Sequence, residues 1–313
     1  MILFKRKEVK QMKQKMIAKK AIYAIIIASV ICIFAVLCVI MIYYKKNPAY
    51  IGWKVTQYAD ASGAQGSFYT LENSDGRFII IDGGWAANEE NVRNVIKQHH
   101  NKVDAWIISH PHQDHAGAFN KIYANPNGIT VDRIYDSPIE YEKVKNAGEK
   151  WDDLEIFEEY LKVTAGSDKV THLNRGDVFE LFGLKIEVFN SYDRYVLDNS
   201  SDITNDSSLM FKVSSDSKSM IFCGDIKYQM EDTVLKLYKD SLSCSFIQAA
   251  HHGNWSFSEE FYDLTGADTV IFDSPAWIMQ DSQYPAYDLK KHLDSRGVKS
   301  VDQTTAPNVF YLD

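Results

Sequence analysis

The sequence predicts an α+β domain in which two packed sheets carry helices on their outer faces. This four-layer α/β/β/α sandwich would be preceded by one N-terminal transmembrane helix. Three observations lead to this expectation. Short apolar runs typical of strands preponderate, helical patterns fall between them in both halves, and one strand leads directly into a dense histidine cluster. Sheets must bury a face against another layer, so strands interspersed with helices favour such a layered arrangement.

The composition fits one large globular domain plus an anchor. Of the 313 residues 45% are hydrophobic, which is too many for a disordered chain. The first 46 residues hold ten basic residues and one acidic residue, whereas residues 47–313 hold 24 basic and 41 acidic ones. The resulting formal charge of −17 on residues 47–313 repels polyanions at long range. Nucleic acid is therefore disfavoured as a partner but not excluded, because bound metal ions can reverse the local field.

Residues 21–44 form an uncharged run of 24 amino acids. As a helix this run would be about 36 Å long, enough to cross a hydrocarbon core of about 30 Å. Eight basic residues precede it, which predicts a cytoplasmic tail at 1–20, a signal anchor at 21–44, a linker at 45–52 and an extracellular domain at 53–313. The alternatives are a buried core helix, a cleaved signal peptide and a lipoprotein signal at Cys38. The length, the flanking lysines and the lack of a small-residue cleavage site favour the anchor.

The elements of the first half follow from periodicity and turn composition. Strands are predicted at Trp53–Ala59, Ser67–Leu71, Arg77–Ile81 and Asp104–Ser109, and a helix at Asn88–His100. Asn73–Gly76 has the composition of a hairpin turn between the second and third of these strands. Residues 136–165 are rich in Glu, Lys, Tyr and Trp and have no strand pattern, which predicts a helical insertion near the site. Its aromatic side chains, such as Trp151, either shape a substrate cleft or belong to a surface cap.

The second half repeats this organisation. Strands are predicted at Leu184–Phe189, Ser208–Val213, Met220–Cys223, Ser245–Ala250 and Thr269–Phe272. Cys223 and Cys244 lie in apolar runs that resemble buried strands, where a free cysteine behaves as a small hydrophobic residue. No thiolate metal-binding spacing occurs, and a disulfide between these two residues stays open as an alternative.

Residues 109–115 read Ser-His-Pro-His-Gln-Asp-His and directly follow a buried strand. Alternation places His110 and His112 on one side, whereas Asp114 and His115, after the bend, can face a second ion. A polar loop that holds three histidines by chance is the alternative, but the chain has only nine histidines in all. Two other strand ends carry further candidate ligands. They are Asp225, which follows Gly224, and the pair His251-His252, which on its own would more often be structural.

The order and distances of these motifs resemble the metallo-β-lactamase superfamily over about residues 52–275. Ile81–Gly84 resembles its early aspartate-glycine motif, which supports the site from behind. Within the superfamily, Ala64–Ser67, Asn205–Leu209 and Ala250–Gly253 resemble motifs of the hydrolase domain of the bacterial DNA-uptake competence channel. Ala64 and Ser67 depart from that group, which has Gly and Asp there. A phosphocholine esterase that trims teichoic acids has the same general fold and an extracellular location.

The resemblance implies two divalent metal ions, zinc first, with manganese or iron as alternatives. The implied ligands are His110 and His112 for the first ion, Asp114 and His115 for the second, Asp225 as the bridge, and His251 rather than His252 to complete the second ion. Asp114, Asp225 and His252 are then the candidate catalytic residues, and Asp82, Asn205 and Asp206 are additional ligands or supports. The third histidine that many relatives use for the first ion has no clear match. His172 lies in a polar stretch, and Asn205 or Asp206 can take its place.

These features predict a membrane-anchored, extracellular, metal-dependent hydrolase. The favoured activity is that of a phosphodiesterase that uses a metal-activated water on nucleic acid or on a cell-wall phosphodiester polymer. Two alternatives stay open. One is hydrolysis of a small carbonyl substrate such as a β-lactam, a lactone or a thioester, because this fold serves many reactions. The other is a non-catalytic scaffold module with the same fold. The sequence does not determine the physiological substrate or the oligomeric state.

Overall fold

The computed structural model describes residues 52–60, 62–303 and 306–313, together with residues 16, 27, 29 and 31–36. The chain divides into two compact units, Met1–Ala49 and Tyr50–Asp313. In the first unit, the described residues are helical and exposed. Most of the predicted tail, anchor and linker lies outside the described residues. Within the described part of the chain, no helix is both long and apolar enough to cross a membrane.

The second unit contains two seven-stranded mixed sheets and one two-stranded sheet. The strands are β1 (Trp53–Gln57), β2 (Phe68–Asn73), β3 (Phe78–Asp82), β4 (Lys102–Val103), β5 (Ala105–Ile107), β6 (Thr130–Val131), β7 (Ile134–Asp136), β8 (Val170–His172), β9 (Val178–Leu181), β10 (Leu184–Asn190), β11 (Met210–Ser214), β12 (Ser219–Phe222), β13 (Phe246–Gln248), β14 (Thr269–Pro275), β15 (Lys299–Gln303) and β16 (Asn308–Leu312). The first sheet has the order β16-β1-β2-β3-β5-β7-β8 and the second the order β15-β14-β13-β12-β11-β10-β9. In each large sheet an antiparallel half continues into a parallel half.

Helices connect and cover these strands. The α-helices are α1 (Glu89–Gln98), α2 (Gln113–Ala124), α3 (Tyr141–Ala147), α4 (Leu154–Thr164), α5 (Arg194–Asn199), α6 (Ile203–Asp206), α7 (Glu231–Tyr238), α8 (Glu259–Thr265), α9 (Ala276–Met279) and α10 (Pro285–Ser295). Short 3₁₀ helices lie at Ala86–Asn88, Tyr228–Met230, Lys239–Ser241 and Ala250–Gly253.

Three apolar clusters separate the layers of this unit. The central cluster lies between the sheets and contains, among others, Ile79 and Ile81 of β3 and Phe211 of β11. An outer cluster packs the other face of β3, with Phe78 and Ile80, against α1, α2 and α4. The third cluster packs β12, β13 and β14 against α7, α8 and α10. β3 is apolar at four successive positions because both of its faces are covered, as is usual for a strand in the parallel part of a sheet.

The predicted α+β fold with mixed sheets is confirmed, and so is the helical character of residues 136–165, which contain α3 and α4. The predicted strands appear with ends shifted by a few residues. The sequence-based reading missed the edge strands β8, β9, β15 and β16, which are short or only partly buried and lack a continuous apolar run. Cys223 and Cys244 are both free thiols, buried in the same cluster.

The carboxyl ends of the parallel strands bring the polar motifs together. β3 ends at Asp82, and β5 runs into the histidine cluster. β12 is followed by Gly224-Asp225, and β13 by the segment Ala250–Gly253. Parallel neighbours have their carboxyl ends at the same edge of a sheet. Loops from both sheets therefore converge on one place, where ligand-binding residues are commonly found.

Candidate metal centre

Four buried side chains offer ligand atoms to one point. Asp114, His115, Asp225 and His252 each contribute one ligand atom to a group whose members lie within 4.8 Å of one another. Two imidazole nitrogens and two carboxylate oxygens form a donor set suited to zinc, manganese or iron. Asp114 and His115 lie in the first turn of α2, Asp225 follows β12, and His252 lies in the 3₁₀ segment Ala250–Gly253 that follows β13.

Asp225 lies at the centre of this group. Its Oδ1 is 3.1 Å from Nε2 of His115, and its Oδ2 is 3.1 Å from Nε2 of His252. Oδ2 also lies 4.0 Å from Nε2 of His110, the first histidine of the cluster. Asp114 approaches from the other side, with Oδ2 at 3.2 Å from Nε2 of His252. This central location is the one that the sequence-based assignment of a bridging carboxylate requires.

The backbone before Asp225 is shaped by a glycine. Gly224 has φ +56°, and a Cβ atom there would lie 2.8 Å from Cβ of Ser208. The Ser208 side chain is held in this position, because its hydroxyl accepts a hydrogen bond from the backbone N–H of Asp225 at 3.0 Å. A second pair of contacts holds the same turn, since the N–H groups of Cys223 and Gly224 both donate to Oε1 of Gln248.

Asp82 supports the centre from behind, as the resemblance implies. Ser109 donates its backbone N–H and its hydroxyl to the two Asp82 oxygens, at 2.8 and 2.9 Å, and Nδ1–H of His115 donates at 2.8 Å. Because the Ser109 hydroxyl proton is engaged by Asp82, the Ser109 oxygen can only accept from Nδ1–H of His110, at 3.1 Å. Both histidines therefore keep Nε2 as the nitrogen turned to the centre.

The two adjacent histidines after β13 are placed differently from the sequence-based expectation. His252 is buried, joins the four-residue group and donates Nδ1–H to the backbone carbonyl of Asp273 at 3.1 Å. His251 instead donates Nδ1–H to the carbonyl of Asn254 at 2.6 Å and lines the cavity. The grouped ligand atoms thus include His252 and not His251, whereas the sequence-based expectation has His251 as the ligand and His252 as the catalytic residue. Residues 251 and 252 both adopt left-handed backbone conformations, with φ +47° and +56°. The sequence pattern did not predict this bend.

Proton affinities in the group match a site built for a cation. Burial alone would lower the pKa of His115, but the carboxylates of Asp225 and Asp82 outweigh it and raise that pKa well above its usual value. Burial would also lower the pKa of His252, but the carboxylates of Asp225 and Asp114 outweigh it and raise that pKa to about 10. Burial would raise the pKa of Asp225, yet His115 and His252 outweigh it and hold that pKa well below its usual range. The carboxylates thus favour a positive charge at this place, which a divalent ion can supply.

His110 provides the test of whether a metal fits. Its Nε2 is buried and has no hydrogen-bond partner among the residues that the structure describes. Burial, together with the neighbouring His115, holds the pKa of His110 well below its usual value, so the ring stays neutral with a bare lone pair on Nε2. Leaving such an acceptor buried and unpaired is unfavourable, and coordination of a cation removes the problem. The residues present therefore fit a metal ion.

The residues proposed to complete the first ion are placed differently from one another. Asn205 is buried and lines the cavity, and within the described part of the chain its Oδ1 has no hydrogen-bond partner. Asp206 is buried away from the cavity lining, where Ser200 and the backbone N–H of Lys227 donate to it. His172 lies on β8 and donates to Asp136, outside the centre. Only Asn205 is available at the cavity.

A cavity of about 670 Å³ opens over the centre. Its wall consists of Gln65, Trp85, His112, Gln113, Asp114, Trp151, Ser201, Asp202, Asn205, Asp225, Lys227, Tyr228, Gln229, His251 and Trp255. Lys227 is the only lysine or arginine among these lining residues. Its Nζ donates to Asp202 at 2.8 Å, and Asp202 also accepts from Nε1 of Trp151 at 2.9 Å. Trp151 therefore belongs to the cavity wall. Of the two alternatives given for the aromatic side chains of residues 136–165, this placement agrees with the one in which they shape a cleft.

Reasoning from the sequence missed several residues of this site, among them Lys227, Trp255 and Asp152. Lys227 follows the Gly-Asp motif by two positions, which was a usable signal because the side chains next to a ligand motif often line its cavity. Trp255 lies just after the double histidine and gave the same kind of signal. Asp152, which accepts a hydrogen bond from His112, gave none, because it is 40 positions away along the chain.

Comparisons with known proteins agree with the fold. A family model described as the metallo-beta-lactamase superfamily matches residues 62–174. Among solved structures, the metallo-beta-lactamase fold protein YhfI from Bacillus subtilis has 13% identity and a TM-score of 0.52, over 82% of this chain and 99% of that one. Unliganded yeast PDE1 has 12% identity and a TM-score of 0.50, over 84% of this chain and 100% of that one. No curated protein matches the sequence.

A third similar structure is CmlA, a diiron β-hydroxylase from Streptomyces venezuelae. It has 13% identity and a TM-score of 0.53, over 85% of this chain and 55% of that one, so the present chain spans about half of CmlA. At such identities the structural likeness shows the fold alone. The matched segment, residues 62–174, carries a likeness to the metallo-β-lactamase superfamily, and the structural matches show the same fold. The likeness does not extend to a particular member of the superfamily.

Proposed function

We propose that the protein is a metal-dependent phosphodiesterase that acts on a phosphodiester polymer, either nucleic acid or a cell-wall polymer. The observation that carries this choice is Lys227, a lone ammonium group in the wall of a cavity that is otherwise neutral or acidic. A phosphodiester has one negative charge that a fixed ammonium group can bind, whereas a β-lactam, lactone or thioester carbonyl needs no such cation for binding. The competence-like motifs in the sequence favour the same substrate class.

Each residue then has a defined task. His110, Asp114, His115, Asp225 and His252, with His112 beside them, would hold the two divalent ions, zinc first. Ions bound there supply an acidified water as nucleophile and polarise the attacked group. Lys227, held in place by Asp202, binds a non-reacting phosphate oxygen. His251 keeps a neutral ring because burial lowers its pKa, and its free Nε2 can accept a proton or a hydrogen bond from the substrate.

The experiment compares hydrolysis of bis-(p-nitrophenyl) phosphate and nitrocefin by the full-length protein, with metal content measured on the same sample. Chelator-sensitive turnover of the phosphodiester alone supports the proposal. Lys227→Met should then raise KM for the phosphodiester about tenfold or more, because a charged hydrogen bond of about 1.5–3 kcal/mol is lost. Lys236→Met, at an exposed position of α7, is the matched control and should leave KM unchanged.

Other outcomes distinguish the remaining candidates. Bound metal with turnover of nitrocefin only would move the function to small carbonyl substrates and contradict the proposed role of Lys227. Failure to bind metal after reloading would favour the scaffold module. Metal analysis also decides between zinc, manganese and iron, all of which this donor set accepts.

We further propose that residues 21–44 anchor the protein in the membrane with residues 53–313 outside the cell. The support is the uncharged run and the eight basic residues before it. The test is carbonate extraction of membranes, followed by protease treatment of intact cells. Release by carbonate, or protection of the domain from protease in intact cells, would refute the anchor or its orientation.

A further inference from the structure

The histidines around the metal centre share one feature of their hydrogen bonding. In each of His110, His115 and His252, Nδ1–H is donated to a fixed acceptor, which leaves Nε2 directed to the centre. Such partners select the tautomer and the ring orientation of a metal-ligating histidine, and they raise the basicity of the ligating nitrogen. His112 is the one histidine of the cluster that does not follow this arrangement.

His112 is held by its other nitrogen. Its Nε2–H donates to Oδ1 of Asp152 at 2.8 Å, and both side chains are nearly buried, with exposed fractions of 10% and 5%. The backbone of His112 is fixed at the start of α2, where its carbonyl accepts from the N–H of Ala116 at 2.8 Å. Only the side-chain torsions are left to be set, and the Asp152 carboxylate sets them. Nδ1 is then the nitrogen without a proton, on a ring that lines the cavity beside His110.

We propose that Asp152 is a positioning residue that fixes His112 as the Nε2–H tautomer, which leaves Nδ1 for the first metal ion that the family resemblance assigns to His112. This inference rests on the proposed metal-dependent function. It assigns a task to the segment between α3 and α4, to which the sequence gave no metal-related role. The sequence offers no clear third histidine for the first ion. Binding of that ion would thus depend more strongly on His112 and on the Asp152 carboxylate that orients it.

The neighbouring residue gives the segment a firm place. Trp151 donates Nε1–H to Asp202 at 2.9 Å, and the same Asp202 oxygen accepts from Nζ of Lys227 at 2.8 Å. The indole ring also lies 5.5 Å from the Lys227 ammonium group. Trp151 therefore ties the segment to the cavity wall, and Asp152, next in the chain, is held at His112. The adjacent residues Trp151 and Asp152 thus connect the cavity wall with the orientation of His112.

The first test needs no metal. Long-range ¹H–¹⁵N correlation spectra of the full-length apoprotein report which ring nitrogen of each histidine carries the proton, and His112→Gln identifies the signal. We expect the Nε2–H tautomer at His112 in the wild type, a mixture of tautomers in Asp152→Ala, and recovery in Asp152→Asn, whose amide oxygen can still accept the hydrogen bond. An Nδ1–H tautomer at His112 in the wild type overturns the inference.

The second test measures the two metal affinities separately by competition with a chromophoric chelator. Asp152→Ala should weaken the first ion about 10–100-fold, the usual effect of removing such a partner, and leave the second ion unchanged. Asp153→Ala is the matched control, because this adjacent carboxylate makes no capping hydrogen bond at the start of α4. Unchanged or tighter binding in Asp152→Ala overturns the inference but leaves the proposed function intact. A wild-type protein that binds no metal overturns both.

Discussion

Gly224 offers a direct test of how the chain places Asp225. Alanine at this position would have to adopt the left-handed conformation at φ +56° and would bring Cβ to 2.8 Å from Cβ of Ser208. The left-handed backbone costs roughly 1–2 kcal/mol for a residue with a Cβ, and overpacking a buried site typically costs about 1–3 kcal/mol. We therefore expect Gly224→Ala to lower the free energy of unfolding by about 2–5 kcal/mol.

The matched control is Gly266→Ala, because Gly266 has a similar φ of +62° at the end of α8 but has no atom within 4 Å of the added Cβ. It should lose only the conformational part, about 1–2 kcal/mol. Both variants are compared by urea denaturation at constant m, with thermal melts as a check. Gly224→Ala should also weaken metal binding, since Ser208 hydrogen-bonds the backbone N–H of Asp225. Equal destabilisation of the two variants would refute the contact-based reasoning.

Three further predictions follow from the site and its surroundings. His252→Ala should lose metal ions that His251→Ala retains, whereas His251→Ala should lower turnover at full metal loading. Elemental analysis and kinetics on the same samples test this expectation. The reverse pattern would support the sequence-based assignment. Reloading metal into chelator-treated protein should raise its stability by about 2.7 kcal/mol at a free metal concentration of 100 Kd, measured as a shift of the thermal midpoint; no shift would speak against a native-state site. Burial raises the pKa of Asp206 to about 6, above its value of roughly 3.9 in an unfolded chain. Between these two pH values the folded state binds more protons than the unfolded state. The free energy of unfolding therefore falls as pH rises from about 4 to about 6. Asp206→Asn should flatten that profile by up to about 3 kcal/mol, and an unchanged slope in urea melts would exclude Asp206 as its source.

Much of the fold could be predicted because its strands are marked by local patterns. β3 and β14 are runs of apolar residues that are buried on both faces, and the hairpin between β2 and β3 has a turn composition that any sequence-based reading detects. The edge strands escaped detection because they are short and partly exposed, and their place is decided by neighbours far along the chain. β16, for example, pairs with β1 across more than 250 residues.

The candidate ligands could also be named from the sequence, because most of them cluster within seven residues or stand directly after apolar strands. The choice between His251 and His252 could not be made, because a left-handed bend at both residues decides which ring faces the centre. Nor could the second partners of the histidines be foreseen, apart from Asp82. Asp152 meets His112 only in the folded chain, because the two residues are 40 positions apart, whereas Lys227 follows Asp225 by two positions.

The sequence by itself therefore named the candidate metal ligands and the strand ends that carry them, because residue type and strand periodicity are local properties. Tertiary structure alone decided which nitrogen of each histidine is free, which of two adjacent histidines enters the group, and which carboxylate holds His112. These outcomes depend on distances between side chains from different elements. Such distances are fixed only when the two sheets pack and the segment between α3 and α4 closes against the centre.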